Sequence, residues 1–69
     1  MDMQSVLKRI KSSNHCMTVE GYEQSQSYTK EGVLWKCKCS LGGHVYFSDT
    51  ELAEEILSVF EGDTIIAIY

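Results

Sequence analysis

The chain has 69 residues, of which 43% are hydrophobic and 23% charged, and this composition is typical of one folded domain rather than a disordered segment. A domain this short buries only about 60% of the surface that its unfolded chain exposes, so its stability margin is thin. A chain of this length also offers little room for a substrate pocket beside the core. The net charge of −4 argues against a binder of bulk nucleic acid, because such proteins carry the opposite charge balance.

The first predicted element is an amphipathic helix that begins after Asp2, a suitable N-cap residue. Its apolar residues recur at helical spacing. They are Met3, Val6, Leu7 and Ile10. We predict that this helix ends near residues 12–14 and that a first strand follows over 15–22, with Met17 and Val19 pointing inward.

The segment 23–32 is polar, and we predict that it forms a loop or the tip of an extended hairpin. The next stretch, from Gly32 to Asp49, has the clearest pattern in the chain and is predicted to form a hairpin. Apolar and polar residues alternate along its first half with the period of a strand that has one buried face. A second short strand, His44–Phe47, follows the Gly42-Gly43 pair.

The hydrophobic pattern also predicts the register of this hairpin. A three-residue loop over 41–43 pairs Ser40 with His44 and places Cys39 beside Val45, with Gly43 in the left-handed conformation. The inner face then consists of Val33, Trp35, Cys37, Cys39, Val45 and Phe47. The outer face consists of Lys36, Lys38, Ser40, His44 and Tyr46.

A second helix and a last strand complete the predicted fold. Ser48 and Glu51 match the capping-box pattern at the start of a helix over about 50–60, whose apolar face comprises Leu52, Ala53, Ile56, Leu57, Val59 and Phe60. Residues 63–69 are predicted to form a nearly continuous apolar strand. The chain is therefore predicted to be a small single α+β domain over 1–69, with the order α-β-β-β-α-β and two helices on one face of a mainly antiparallel sheet.

The order of the first five predicted elements is similar to that of double-stranded RNA-binding domains. Those domains have a lysine-rich start to their last helix, which meets phosphates, whereas this chain has Asp49-Thr50-Glu51 there. The similarity is one of element order only, and we do not infer RNA binding from it.

Two histidines and three cysteines could bind zinc, or a cysteine could act as a nucleophile with a histidine and an acid beside it. They are His15, Cys16, Cys37, Cys39 and His44. The C-x-C spacing is poor for zinc, and the predicted register places His44 on the face away from Cys37 and Cys39. We therefore interpret the cysteines as small core residues and predict no metal, no cofactor and no enzymatic activity, with a zinc-binding structural domain as an alternative.

No apolar run approaches the roughly 18 residues of a membrane span, and no apolar segment follows the basic residues near the N-terminus. The odd number of cysteines, three, also argues against a disulfide framework. The lack of a secretion signal and the odd number of cysteines predict a cytoplasmic protein with reduced thiols.

The C-terminal third contains six acidic residues from Asp49 onward and no lysine or arginine. Glu51, Glu54, Glu55 and Glu61 form a stripe with Asp49 and Asp63 at its ends. Residues three and four apart lie about 5–6 Å apart on one helix face, so the stripe predicts a docking surface for a basic protein. In its extreme form, such a surface imitates nucleic-acid phosphates.

Two further surfaces are predicted on the outer face of the sheet. Lys36, Lys38 and Tyr46, with His44 and Lys30, suggest an alternative function in binding RNA or single-stranded DNA. Tyr46, Ile66 and Ile68 would form an exposed apolar patch suited to a two-fold homodimer, unless the last strand is central and covered by the segment 23–32.

The function predicted from the sequence is a small acidic, non-enzymatic protein-interaction module. Its size and character suggest an inhibitor or modulator of a nucleic-acid-handling protein, encoded by a phage or mobile element and of anti-defence type.

Overall fold

The computed structural model describes residues 2–21, 24–39, 41–60 and 64–68. Within them, two helices and five strands follow the order α-β-β-β-β-α-β. The helices are α1 (Met3–Ser12) and α2 (Asp49–Val59), and the strands are β1 (Cys16–Gly21), β2 (Gln24–Glu31), β3 (Leu34–Lys38), β4 (His44–Phe47) and β5 (Thr64–Ile68). In this part of the chain, neither helix is long and apolar enough to cross a membrane.

The strands form one sheet in the order β4-β3-β2-β1-β5, and every neighbouring pair is antiparallel. Both helices pack on the same face of this sheet, and their apolar residues join one core with its inward side chains. The α+β class, with two helices on one face of an antiparallel sheet, is therefore confirmed. The opposite face, which we call the open face, has no helix against it among the described residues.

The prediction that the segment 23–32 is a loop or a hairpin tip is wrong, because β2 occupies most of this segment and lies at the centre of the sheet. The period-two signal is weak here because Tyr28 is the one apolar residue of the strand and is 3% exposed. Its neighbours on the inner face, Gln26 and Lys30, are polar. The additional strand also removes the similarity in element order to double-stranded RNA-binding domains.

The predicted register of the β3–β4 hairpin is wrong by two residues. Trp35 pairs with Phe47 and Cys37 with Val45, whereas the prediction placed Val45 beside Cys39. A shift of two residues leaves every side chain on its predicted face, so the hydrophobic pattern could not distinguish the two registers. The connection is wider than predicted, and Gly42 (φ 99°) and Gly43 (φ 76°) both adopt backbone conformations that favour glycine.

Two residues of the predicted inner face are exposed. Val33 is 81% exposed because it lies in the turn between β2 and β3. Val45 points to the inner side but remains 40% exposed, because β4 is an edge strand with no further strand beside it in the described sheet. Trp35 is the largest of the fully buried side chains.

The predicted capping box at the start of α2 is confirmed. The backbone N–H of Glu51 donates to Ser48 Oγ at 3.2 Å, and the Ser48 N–H donates to Glu51 Oε1 at 2.9 Å. Asp2 is a simple N-cap of α1, because its Oδ1 accepts the Ser5 N–H at 2.8 Å. The cap fixes where α2 starts and therefore which of its residues face the solvent.

Candidate binding surfaces

The acidic stripe predicted on α2 is partly used inside the molecule. Glu51 is exposed, but its carboxylate closes the capping box, and the hydrogen bonds from Ser48 lower its pKa. Glu54 is exposed and Glu55 is half-buried on the same side of the helix. Glu61 and Asp63 lie outside the described residues. Glu54 is thus the acid of the stripe that the described structure leaves most free to meet a partner.

Asp49 does not belong to this solvent-facing stripe. Its Oδ1 accepts hydrogen bonds from Lys30 Nζ and from Trp35 Nε1, each at 2.8 Å. The Lys30 ammonium also lies 4.9 Å from the centre of the Trp35 ring. Asp49 is the first residue of α2, and this position sets it over the Lys30–Trp35 pair of the sheet.

Lys30 is therefore not available to the open face, where the sequence suggested it as a supplementary cation. It lies on the inner face, because it stands directly opposite Trp35 in the β2–β3 ladder. No local pattern pointed to its contact with Asp49, since the two residues are 19 positions apart.

The Cys37 thiol lies on the inner side of the sheet, where the charge of Glu55 acts on it. Burial raises the pKa of the Cys37 thiol, and the nearby Cys39 and Glu55 add to this effect. Burial likewise raises the pKa of Tyr28. The Cys37 thiol donates towards Gln26 Oε1 at 3.5 Å, so it acts as a weak hydrogen-bond donor. A raised pKa keeps this thiol protonated at neutral pH and makes it a poor nucleophile.

The residues considered for zinc are distributed over both faces of the sheet. Cys37 lies on the inner face opposite Val45, whereas His44 lies on the open face opposite Lys38. Cys16 is also on the open face, but it belongs to β1, at some distance from β4. Within the described ranges, no three His, Cys, Asp or Glu residues are grouped so as to hold a metal ion.

The β3–β4 end of the open face brings together the residues suggested for nucleic-acid binding. Lys36 stands opposite Tyr46, and Lys38 stands opposite His44. Lys36 forms an ion pair with Glu31 at 3.0 Å, which raises the lysine pKa. Lys38 is exposed and takes part in neither of the two ion pairs of the described residues. We call these four residues, Lys36, Lys38, His44 and Tyr46, the basic corner.

The residues predicted for self-association lie at opposite edges of the open face. Tyr46 is 51% exposed on β4 and Ile66 is 40% exposed on β5. Four strand spacings of about 4.8 Å separate these edges, so the two side chains are about 19 Å apart. The side chain of Ile68 lies outside the described residues. Self-association through these residues stays a prediction.

The remaining basic residues are on α1. Lys8 and Lys11 lie along a shallow groove of about 590 Å³ on its solvent side, together with Leu7. Arg9 donates instead to the backbone carbonyl of Ile65 at 2.6 Å. This contact joins residues 56 positions apart, so no sequence signal indicated it.

In comparisons with known proteins, no protein-family model, curated protein or solved structure matches the chain.

Proposed function

We propose that the chain is a non-enzymatic protein-interaction module that binds a basic protein surface through α2. We call the binding surface the acidic face and define it by Glu51, Glu54 and Glu55; Glu61 extends the same stripe in the sequence. One observation carries the proposal. All six lysines and arginines lie in the described part of the chain, where the two ion pairs join Lys30 to Asp49 and Lys36 to Glu31.

The acidic face thus has no internal cation to neutralise it. Carboxylates three and four residues apart on one helix repel each other slightly, by a few tenths of a kcal/mol per pair. A partner that supplies lysines or arginines relieves this repulsion, and complementary charge also accelerates the encounter of the two proteins. Surfaces that bind nucleic acid are also rich in lysine and arginine. A nucleic-acid-binding protein is therefore the class of partner that fits best.

The proposed action is to occlude a protein that handles nucleic acid inside the cell. The small size of the chain favours this simple mode of inhibition, in which one surface covers another and no chemistry is needed. The same size and acidic character support, by analogy alone, an origin in a phage or mobile element and an anti-defence role.

The test is a charge reversal with a matched control. Glu54→Lys changes the acidic face without touching the capping box, and Glu20→Lys makes the same change in net charge on the open face. We expect immobilised wild type and Glu20→Lys to retain the same basic protein from a lysate of the source organism. We expect Glu54→Lys to retain it at least tenfold less, and an added duplex oligonucleotide to displace it from wild type.

Equal retention by Glu54→Lys and wild type would remove α2 from the binding surface. Retention that an oligonucleotide leaves unchanged would instead remove the occlusion of a nucleic-acid site. Glu51 is unsuitable for this test, because its replacement also breaks the cap of α2.

A second candidate function is the binding of single-stranded nucleic acid at the basic corner. The observation that favours it is the direct cross-strand pairing of Lys36 with Tyr46 and of Lys38 with His44 on an uncovered face. Aromatic residues beside cations on a sheet can stack bases and meet phosphates. Against it, Lys36 is already paired with Glu31, which leaves few cations for the phosphates.

Titration with labelled single-stranded DNA and RNA at low salt separates the two candidates. We expect no binding, because the net charge of −4 repels phosphate. Tight, salt-sensitive binding that Lys38→Glu abolishes and Lys8→Glu preserves would establish the basic corner as the functional surface instead.

A further inference from the structure

The two edges of the sheet differ in how their backbone hydrogen-bonding groups are used. In an antiparallel ladder, opposite residues alternate between pairs that exchange both backbone hydrogen bonds and pairs that exchange none. The Cys39 N–H donates to the Gly43 carbonyl at 3.1 Å, so the bonded pairs of the β3–β4 ladder continue at Cys37 and Val45. His44 and Tyr46 therefore direct their N–H and C=O groups away from β3, off the edge of the sheet.

The other edge, at β5, carries a blocking side chain. The Lys30 N–H donates to the His15 carbonyl at 2.8 Å, so alternation directs the groups of Thr18 to β5, where its partner is Ile66. The carbonyl of Ile65 then points off the β5 edge. It is this carbonyl that accepts the guanidinium of Arg9 at 2.6 Å. A charged side chain on an edge strand obstructs pairing with another strand.

The β4 edge has no comparable protection in the described part of the chain. No side chain there bonds to the backbone of His44 or Tyr46. Val45 leaves 40% of its surface exposed on the inner side of this edge. The segment 33–48 also contains no acidic residue, although the chain as a whole carries a net charge of −4.

We propose that β4 pairs antiparallel with β4 of a second copy of this chain, about a two-fold axis at Val45. In this register His44 of each copy stands opposite Tyr46 of the other, and their free N–H and C=O groups bond reciprocally. The two Val45 residues face each other as a close non-hydrogen-bonded pair, with Cα atoms about 4.5 Å apart, and bury their exposed surface. The two five-stranded sheets become one continuous sheet.

A second copy fits this edge for three reasons. The free groups specify an extended strand, and β4 matches its own pattern under a two-fold rotation. The segment 33–48 has no acidic residue, so two negatively charged copies repel each other least when they approach through it. The guanidinium on β5 prevents further addition at the other edge, so the assembly closes at two copies instead of growing into a fibre.

Dimerisation would also matter for binding. A two-fold axis perpendicular to the sheet leaves the helices of both copies on the same side, so the dimer presents two acidic faces together. A partner with two basic patches, or two neighbouring partners, would then bind with increased avidity.

Hydrogen exchange of individual backbone amides tests the edge directly. We expect wild type to sediment as a dimer and the amides of His44 and Tyr46 to exchange at least tenfold more slowly in the dimer than in the dilute monomer. The Ile65 amide, which points off the blocked edge, is the internal control and is expected to exchange at the same rate in both.

Val45→Lys and Val59→Lys form the matched pair of variants, because the two valines are 40% and 44% exposed. In the Val45→Lys variant, the new lysines of the two copies would face each other at the two-fold axis and repel. This variant is therefore expected to be folded by circular dichroism and monomeric by sedimentation. Val59→Lys is expected to stay a dimer. A monomeric wild type at all concentrations overturns the proposal, as does a dimer whose His44 and Tyr46 amides exchange as fast as that of Ile65. If Val45→Lys does not fold, the exchange data on wild type decide.

Discussion

Replacing Trp35 by alanine is expected to lower the free energy of unfolding by about 3–5 kcal/mol, the cost of a large cavity in a packed core. Trp35 is fully buried and is the largest buried side chain of the core. The substitution also removes the indole N–H that binds Asp49 and the ring beneath the Lys30 ammonium. Native proteins are stable by only about 5–15 kcal/mol in total, so this substitution would remove a large share of the stability.

Urea denaturation followed by far-ultraviolet circular dichroism measures this effect, since the variant lacks the chain's single tryptophan as a fluorescent probe. Val33→Ala is the control from the same hairpin. The sequence pattern placed both residues on the inner face, but Val33 is 81% exposed, and its replacement is expected to change stability by less than about 0.5 kcal/mol. Similar losses for the two variants would contradict the contribution of the buried Trp35 side chain to the core.

Asp49 is expected to make the stability of the protein depend on pH. Burial alone would raise the pKa of this carboxyl, but the hydrogen bonds from Lys30 and Trp35 and the charges of Lys30 and Lys11 outweigh it, so the pKa is lowered. A carboxyl whose pKa is lower in the folded than in the unfolded state contributes stability that is fully present above the unfolded value. This contribution is lost as the pH falls through the folded-state pKa.

Asp49→Ala is expected to cost about 1–3 kcal/mol at neutral pH, because it leaves the buried Trp35 N–H without a partner. Asp49→Asn keeps an acceptor oxygen but cannot titrate. Urea titrations across the acidic range should therefore show a smaller loss of stability for Asp49→Asn than for wild type. The capping carboxylates Asp2 and Glu51 also have lowered pKa values, but they are present in both proteins and cancel in the difference. Parallel curves for the two proteins would show that Asp49 does not contribute.

Local sequence patterns determined much of this fold. The capping box of Ser48 and Glu51 identified the start of α2, because both hydrogen bonds form between residues three positions apart. The period-two alternation placed Trp35 and Cys37 on one face of the hairpin and Lys36 and Lys38 on the other, since a strand turns successive side chains to opposite sides. The same local information located Glu54 on the solvent side of α2.

Only the tertiary structure decided the rest. The segment 24–31 is a strand because neighbours on both sides satisfy its backbone, although its side chains alone show no apolar alternation. The order of the strands made β4 and β5 the edges and left Val45 exposed, and the packing of α2 on the sheet brought Asp49 to Lys30. These features depend on contacts between segments that are far apart in the sequence. The spacing of residues along the chain does not show which distant segments make contact.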